Sequence, residues 1–389
     1  MRAAFFGIIE HTGTDRGFFG LLGMETLLSF SEFLGEDGLL AIGGLLIGIL
    51  FGVAAQRSRF CLRSAAIEFS RAEFGSKLAI WLLAFSSGVM LTQMLFGLEI
   101  LDTSEIRQLT LSGSLSGAIL GGAMFGAGMI LARGCSSRML VLAGQGNLRA
   151  VLNGLVFAVA AQASLRGVLH PVRDEIAGAW VVSGDSLDVL GSLGQGWQTG
   201  MLLGGLWLAA AVYFAIRSGL TLKGWLGGIG VGITVALAWA WTGLLNGQLF
   251  VPVKIESLTF TGPSANTLML FLSPPTGAWR FDVALVPGVV IGSFLAAAWA
   301  RELKLEGFQG GPSMTRYLLG AAMMGFGGML AGGCAVGSLT NASVFALTGW
   351  LALLSIWLSA VVTDHYLDRT SEQVAKPSVG EAGTPLPAQ

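Results

Sequence analysis

Long apolar runs recur along almost the whole chain, and they restrict what it can fold into. Only 12% of the 389 residues are charged, whereas about 25% are charged in a typical soluble domain. Runs of roughly 15 to 22 apolar residues are long enough to cross a lipid bilayer as helices. The sequence therefore predicts an all-α polytopic membrane protein, with spans near 39–55, 78–98, 111–132, 150–169, 198–216, 224–245, 285–300, 314–331 and 346–363.

The chain divides into five predicted parts. Residues 1–38 are expected to form an interfacial or amphipathic start. Residues 366–389 are expected to form a disordered cytoplasmic tail, because they are polar and contain Pro and Gly. Between these ends we expect a first membrane repeat at 39–197, a linking helix and loop at 198–223, and a second membrane repeat at 224–365.

Basic and acidic residues fall in different connecting segments. Lys and Arg outnumber the acids in 56–77, 217–223 and 301–316, whereas acids are concentrated in 99–110 and 170–197. Basic connections of membrane proteins stay in the cytoplasm, so the first three segments are predicted to face inward and the other two outward. The net charge of −1 gives no reason to expect a nucleic-acid partner.

Two segments of the chain resemble each other. "LGGAMFGAGMILARGC" at 120–135 and "LGAAMMGFGGMLAGGC" at 319–334 are identical at ten of sixteen positions. By the charge pattern, the first segment enters the membrane from outside and the second from inside. This predicts two inverted-topology repeats, a design that places substrate at the bilayer midplane between discontinuous helices.

Each of these segments ends at a break that carries a lone cysteine. The apolar run 118–132 has 15 residues, about 22 Å of helix, which is short of a bilayer core of ~30 Å. We therefore expect the helix to break at "RGCSS", with Gly134 and Gly333 supplying the turn. Free N–H groups of the next half-helix attract anions, and thiols are weak donors. Candidate pathway residues are Cys135, Cys334, Gly134, Gly333 and Ser136, with further hydroxyls at Ser137 and Ser338.

The third cysteine lies in a basic stretch, "AQRSRFCLRSA". Here Arg57, Arg59 and Arg63 surround Cys61 and are expected to form a vestibule that neutralises an anion. The equivalent region of the second repeat, near Trp241 and Thr242, has no cysteine. Arg133 and Arg138 flank Cys135 and are also expected near the pathway.

Simpler interpretations of these residues stay open. A free cysteine is often just a small buried apolar residue. The arginines around Cys61 also fit a cytoplasmic basic cluster, and Arg133 or Arg138 can extend to the inner membrane surface. Three cysteines without a CxxC pair, and three histidines, exclude a complete disulfide framework and make a zinc site improbable. No cofactor or metal is expected.

The stretches "RFCLRSA", "ARGCSSR" and "AGGCAVGS", in this order, are similar to those of the YeeE/YedE sulfur-transport family. The resemblance covers roughly residues 40–365. It implies an hourglass-shaped helical protein of the bacterial inner membrane that takes up thiosulfate. It also implies that the three cysteines pass the anion inward through S–H hydrogen bonds, and that a small cytosolic sulfur-carrier protein is a partner. Arg133 departs from the pattern, since the second repeat has Gly332 there.

Two other functions compete with transport of a sulfur anion. A membrane-embedded sulfurtransferase or redox enzyme would use a cysteine persulfide, which needs a thiolate of low pKa. No neighbouring His or acid stands out in the sequence as its base. A soft-metal permease would use Cys and Met as ligands for Cu(I), but the methionines show no ligand spacing beyond what packing would give.

Overall fold

The computed structural model describes residues 18–246, 254–272, 280–307 and 311–369. This part of the chain is almost entirely helical, apart from a short antiparallel pair of strands, β1 and β2. The helices and strands are α1 Phe18–Ser58, α2 Leu62–Ser70, α3 Ser76–Gly97, α4 Arg107–Thr110, β1 Gly113–Ser114, α5 Leu115–Leu131, α6 Ser136–Gly144, α7 Leu148–Arg166, α8 His170–Gly178, β2 Val181–Val182, α9 Val189–Ser192, α10 Trp197–Arg217, α11 Leu222–Asn246, α12 Thr261–Leu272, α13 Phe281–Ala300, α14 Gly311–Leu330, α15 Ala335–Ser343 and α16 Leu347–Thr363, followed by a π-helical turn at Asp364–Arg369.

The prediction of an all-α polytopic membrane protein is confirmed. Within the described ranges, nine helical segments are long and apolar enough to cross a membrane, and they correspond to the nine predicted spans. The first runs from Gly35 to Ser70 and is longer than the predicted 39–55, and α1 extends before it to Phe18 across a kink at Gly35, whose φ is 74°. Of the predicted interfacial start, residues 1–17 lie outside the described residues, as do residues 370–389 of the predicted tail.

Helices α5 and α14, which carry the repeated segment, pack antiparallel through glycines. A Cβ added at Gly121 would lie 2.6 Å from the carbonyl oxygen of Gly327, and one added at Gly320 would lie 2.6 Å from that of Gly128. Gly121 aligns with Gly320 in the repeated sequence, and Gly128 aligns with Gly327. Each contact therefore has its counterpart with the two segments exchanged. Only glycine permits backbones to approach this closely.

In two further pairs, the helices pack against each other in parallel. Gly44 and Gly48 of α1 face the carbonyl groups of Phe281 and Leu285 in α13. Helix α11 packs against α3 in the same direction, with Gly232 against the Ala84 carbonyl. Helix α10, predicted as the linking helix, packs along α3 and carries many exposed apolar side chains. The first two of these pairs each join a helix of the first predicted repeat to a helix of the second.

The connections predicted for one side of the membrane meet one another. The Gln56 side-chain amide donates to the Glu302 carboxylate at 2.8 Å, and Arg71 forms an ion pair with Asp364 at 3.6 Å. The segments predicted for the other side also meet, since a Cβ added at Gly184 would lie 3.0 Å from the carbonyl oxygen of Thr110. The structure thus groups the segments as the charge pattern does, while the sidedness of each face stays a prediction.

Candidate functional site

Each of the three cysteines stands at the start of a short helix. Cys61 precedes α2, Cys135 precedes α6 and Cys334 precedes α15, and each of these helices has nine residues. All three thiols are free and buried. The predicted break at Cys135 is confirmed, because α5 ends at Leu131 and α6 begins at Ser136. First-turn N–H groups carry partial positive charge, so each thiol lies beside a helix end that attracts anions.

The left-handed residue in each break lies one position before the expected glycine. Arg133 has a φ of 55° and Gly332 a φ of 75°, whereas Gly134 and Gly333 have no positive φ. The expectation that Gly134 and Gly333 supply the turn is therefore wrong. A helix commonly closes with a left-handed residue directly after its C-cap, and that position falls at 133 and 332 because α5 and α14 end at 131 and 330.

The two neighbouring glycines differ in how much space surrounds them. A Cβ added at Gly134 would lie 3.9 Å from the nearest side chains, those of Arg138 and Met139, which is an ordinary contact. A Cβ at Gly333 would lie 3.2 Å from the backbone of Gly337, which is tight. Close packing therefore favours glycine at 333, while alanine fits at 134.

The sulfur of Cys334 accepts two backbone hydrogen bonds. The Gly337 N–H donates at 3.4 Å and caps α15, and the Phe260 N–H donates at 3.3 Å from the extended segment before α12. The Thr259 hydroxyl lies 4.0 Å from the same sulfur. A thiol whose sulfur accepts from two N–H groups still has its own S–H hydrogen to donate to another partner.

Cys135 lies in a more open hydrogen-bonding environment. Its sulfur is 3.3 Å from the Ser137 hydroxyl and contacts the thiol of Cys61, and it does not cap α6. The hydroxyl of Ser136 is buried without a hydrogen-bond partner among the described residues. The structure thus brings Cys61, Cys135 and Ser136 together in a cluster that has unused hydrogen-bonding capacity.

Phe260 occupies in the second half the place that Cys61 holds in the first. It directly precedes α12 and contacts Cys334, just as Cys61 directly precedes α2 and contacts its partner thiol. The expectation that the counterpart lies near Trp241 and Thr242 is wrong. Those two residues lie within α11, and the connection from α11 to α12 is longer than the one from α1 to α2.

One aromatic side chain connects the two thiol sites. The ring of Phe51 in α1 lies 5.0 Å from that of Phe260 and 6.5 Å from that of Phe60, which precedes Cys61. All three rings are fully or almost fully buried. Sequence reasoning missed these residues. Phe60 adjoins a cysteine in the sequence, but nothing in the sequence indicates that Phe51 and Phe260 face it.

A cavity of about 310 Å³ lies next to the Cys61–Cys135 cluster and is lined mainly by polar residues. Its basic lining residues are Arg59, Arg138, Arg301 and Lys304. Arg138 lies in the first turn of α6, three residues after Cys135. Its Nη1 is buried and has no hydrogen-bond partner in the described part of the chain. The acidic lining residues are instead occupied, because the Glu306 carboxylate accepts from the Asn147 amide at 2.5 Å, and Glu302 is bonded to Gln56.

Two of the other predicted arginines lie against aromatic rings. The guanidinium of Arg57 lies 4.9 Å from the centroid of the Trp299 ring, and that of Arg133 lies 5.9 Å from the centroid of the Tyr317 ring. Arg133 is exposed. Of the candidate arginines, the structure therefore places Arg59 and Arg138 at the cavity.

The opposite end of the molecule has a larger, acidic cavity of about 550 Å³. Its lining includes Glu99, Asp102 and Asp188. At its base the side-chain amide of Gln93 donates to the carbonyl of Ser343, at 2.8 Å, at the end of the helix that begins at Cys334. The cavity thus reaches the far end of the Cys334 helix.

The extended segment that leads to Phe260 contains a buried carboxyl group. Glu256 forms an ion pair with Lys254 and lies against α11, where the Thr242 hydroxyl donates to its carbonyl oxygen at 2.8 Å. Burial raises the pKa of Glu256 above its ordinary value of 4.5, and the positive charge of Lys254 acts in the opposite direction. Across the described ranges, no three His, Cys, Asp or Glu side chains are grouped so that they could hold a metal ion.

Comparison with known proteins identifies the family of the chain. The chain matches the sulphur-transport family over residues 57–362, which include all three cysteines. It is 28% identical to a thiosulfate transporter, TsuA, of Spirochaeta thermophila, over 82% of this chain and 97% of that protein. It is 25% identical to the thiosulfate transporter TsuA of Escherichia coli K12, over 82% of this chain and 93% of that protein. These relatives are transporters rather than enzymes, and the chain belongs to the sulphur-transport family.

Proposed function

We propose that the protein takes up thiosulfate, or a similar small sulfur anion, across the bacterial inner membrane. The observation that carries this proposal is the position of the thiols. Three buried cysteines each begin a nine-residue helix, so that soft S–H donors and helix N-termini occur together. A dianion needs compensating donors and partial charges inside a membrane, and these groups supply them without a fixed counter-charge that would hold it too tightly.

The pathway runs between Cys334 and the Cys61–Cys135 cluster. The terminal sulfur of thiosulfate is a soft acceptor that suits thiol donors, while its sulfonate oxygens suit hydroxyl and N–H groups such as that of Ser136. Gly134 and Gly333 lie in the same breaks. From the cluster the anion enters the basic cavity, where Arg59 and Arg138 attract it.

The two halves form an inverted repeat in this proposal, and the basic cavity faces the cytoplasm. The reciprocal glycine contacts between the antiparallel α5 and α14 support the inversion. The excess of basic residues around the cavity supports its cytoplasmic position. A small sulfur-carrier protein would meet the anion at this mouth, where the segment 301–307 lies at the surface.

The competing functions make different demands on the same residues. A sulfurtransferase would leave a persulfide on Cys135, detectable as a gain of one sulfur by mass spectrometry after incubation with thiosulfate. A copper permease would bind Cu(I) through the thiols. Names of the relatives favour thiosulfate, and the described part of the chain has no group of three His, Cys, Asp or Glu side chains that could hold a metal ion.

Uptake of labelled thiosulfate into proteoliposomes tests the proposal. We expect Cys135→Ala and Cys334→Ala to lower uptake by about tenfold to hundredfold, because loss of one hydrogen bond to a charged group costs about 1.5–3 kcal/mol. Cys61→Ala should cost less, since Arg138 remains beside it. Normal uptake by well-inserted Cys135→Ala and Cys334→Ala proteins would show that the thiols are only packing residues.

A further inference from the structure

The guanidiniums of two arginines, Arg133 and Arg149, lie against the ring of one tyrosine, Tyr317. The guanidinium of Arg149 lies 5.1 Å from the centroid of the Tyr317 ring, and that of Arg133 lies 5.9 Å from the same centroid. Tyr317 itself is buried. Neither guanidinium forms a hydrogen bond or an ion pair with any residue that the structure describes. Two positive charges beside the same ring, with no counter-charge among the described residues, attract an anion.

The backbone at Arg133 is unfavourable for a long side chain. Its φ of 55° lies in the left-handed region, which glycine adopts most readily, and the aligned position of the second repeat is Gly332. A residue kept in an unfavourable conformation suggests that its side chain has a task there. That task is outside the thiol cluster, because the guanidinium points to Tyr317 and is exposed.

The equivalent positions at the opposite end of the molecule carry no such group. Arg133, Arg149 and Tyr317 align with Gly332, Thr348 and Ala118 in the repeated sequence, and all three of these are small and neutral. The repeat therefore does not require this arrangement for packing. The group is built at only one end, which is the end that the charge pattern predicts to be cytoplasmic.

The surface beside these arginines is apolar. Leu148, Val151, Leu155 and Val159 are exposed and recur every three or four residues along α7, starting next to Arg149. An exposed apolar stripe on a membrane helix faces acyl chains. The arginines stand at the end of this stripe, where a phospholipid has its phosphate. A ligand with an anionic head and apolar chains fits both features.

We propose that Arg133, Arg149 and Tyr317 form a binding site for the phosphate of an anionic phospholipid of the inner leaflet. The two guanidiniums donate to the phosphate oxygens, Tyr317 fixes the guanidiniums in place, and the acyl chains lie along α7. The site is separate from the thiol pathway, so it is occupied whether or not the protein carries a sulfur anion.

Native mass spectrometry of the purified full-length protein tests this proposal. In neutral detergent, phosphatidylglycerol and phosphatidylcholine are titrated separately, with inorganic phosphate as a third arm. We expect the wild type to prefer phosphatidylglycerol, and Arg133→Gly and Arg149→Gln each to weaken its binding by about tenfold, the loss of one charge-assisted hydrogen bond. Glycine suits the left-handed backbone at 133, so this variant keeps the fold.

Arg217→Gln is the matched control, because Arg217 is exposed at a helix end and donates to the Tyr213 hydroxyl at 3.2 Å. A neutral micelle has no charged surface, so this variant should keep the preference. Equal losses in all three variants would show diffuse attraction and overturn the site. Displacement of the lipid by millimolar inorganic phosphate would show a site for free anions. Normal lipid binding with lost thiosulfate uptake in Arg133→Gly would assign Arg133 to the pathway.

Discussion

The rings of Phe51 and Phe260 lie 5.0 Å apart, and Phe51 also contacts Phe60. The N–H of Phe260 donates to the sulfur of Cys334, and Phe60 adjoins Cys61, so the ring contacts extend from one thiol site to the other. A buried apolar constriction resists the passage of water and ions unless it moves or a substrate displaces it. The three rings are therefore placed where a barrier between the two thiol sites would act.

Phe51→Leu should weaken this barrier. The smaller side chain leaves space between the rings of Phe60 and Phe260, and we expect passive leak of sulfate from loaded proteoliposomes to rise about tenfold, which corresponds to about 1.4 kcal/mol of barrier. Phe85→Leu is the control, because Phe85 is equally buried but packs against Trp81 and Trp207. The same leak in both variants would count against a barrier at Phe51.

Cys334 and Cys135 should differ in their effect on stability. Cys334 caps its helix through the bond from Gly337, whereas Cys135 makes no capping bond. Loss of a cap costs about 1 kcal/mol. Cys334→Ala should therefore unfold at a lower temperature than Cys135→Ala, as measured by thermal unfolding in detergent. Cys334→Ser should restore the unfolding temperature but not uptake. A lower unfolding temperature for Cys135→Ala would show that its packing outweighs the cap.

Arg138 should matter more for uptake than Arg57. Arg138 has a buried Nη1 without a hydrogen-bond partner in the described ranges and lines the basic cavity, while Arg57 is stacked on Trp299. We expect Arg138→Gln to reduce uptake about tenfold or more, the effect of losing one charged donor. Arg57→Gln should stay within about twofold, on the scale of exposed charges. A larger loss of uptake for Arg57→Gln than for Arg138→Gln would indicate that the vestibule lies at Arg57.

Glu256 should make stability depend on pH. Its pKa in the folded protein is raised above 4.5, so the folded state holds this proton at pH values where the unfolded state has lost it. Stability from this group is present below pH 4.5 and is lost as pH rises through the folded pKa. In Glu256→Gln the amide oxygen can still accept a hydrogen bond from Lys254, and the side chain no longer titrates, so the loss of stability with rising pH disappears. It should therefore be more stable than wild type at neutral pH, with a difference that vanishes near pH 4. A difference independent of pH would exclude titration of Glu256 as the cause.

Reporter fusions should establish the orientation. A reporter after Gly219 or after Gln389 should indicate the cytoplasm, and one between 185 and 195 should indicate the outside. Helix α10 separates Gly219 from the latter segment, so the two must lie on opposite sides if α10 crosses the membrane. Identical signals from these two positions would contradict both the charge-based orientation and the inverted repeat.

The helices and the thiol breaks were predictable because they depend on local sequence. Apolar runs of membrane length identify the spans, and the shortness of 118–132 identifies the break before Cys135. The partners of the thiols were not predictable in the same way. The segment between α11 and α12 is longer than the segment between α1 and α2, and it brings Phe260 to Cys334. A pattern of apolar runs does not predict where such a segment leads.

The conformation of the breaks also depended on more than composition. Glycine is the natural residue for a left-handed turn, and Gly134 and Gly333 were reasonable candidates. The turn belongs instead to the residue that follows the C-cap, which depends on where α5 and α14 end. At 133 that residue is an arginine, and its side chain lies against the ring of Tyr317, on a helix distant in the sequence.

The peripheral position of α10 has a consequence for how the chain can be assembled. Among the described segments, four membrane crossings precede α10 and four follow it. A unit with an even number of crossings begins and ends on the same side, so two such units joined directly by a loop would have the same direction. One extra crossing reverses the second unit. In the proposed inverted arrangement, helix α10 need not touch the substrate to be essential, because the one crossing that it adds lets Cys135 and Cys334 approach the centre from opposite faces.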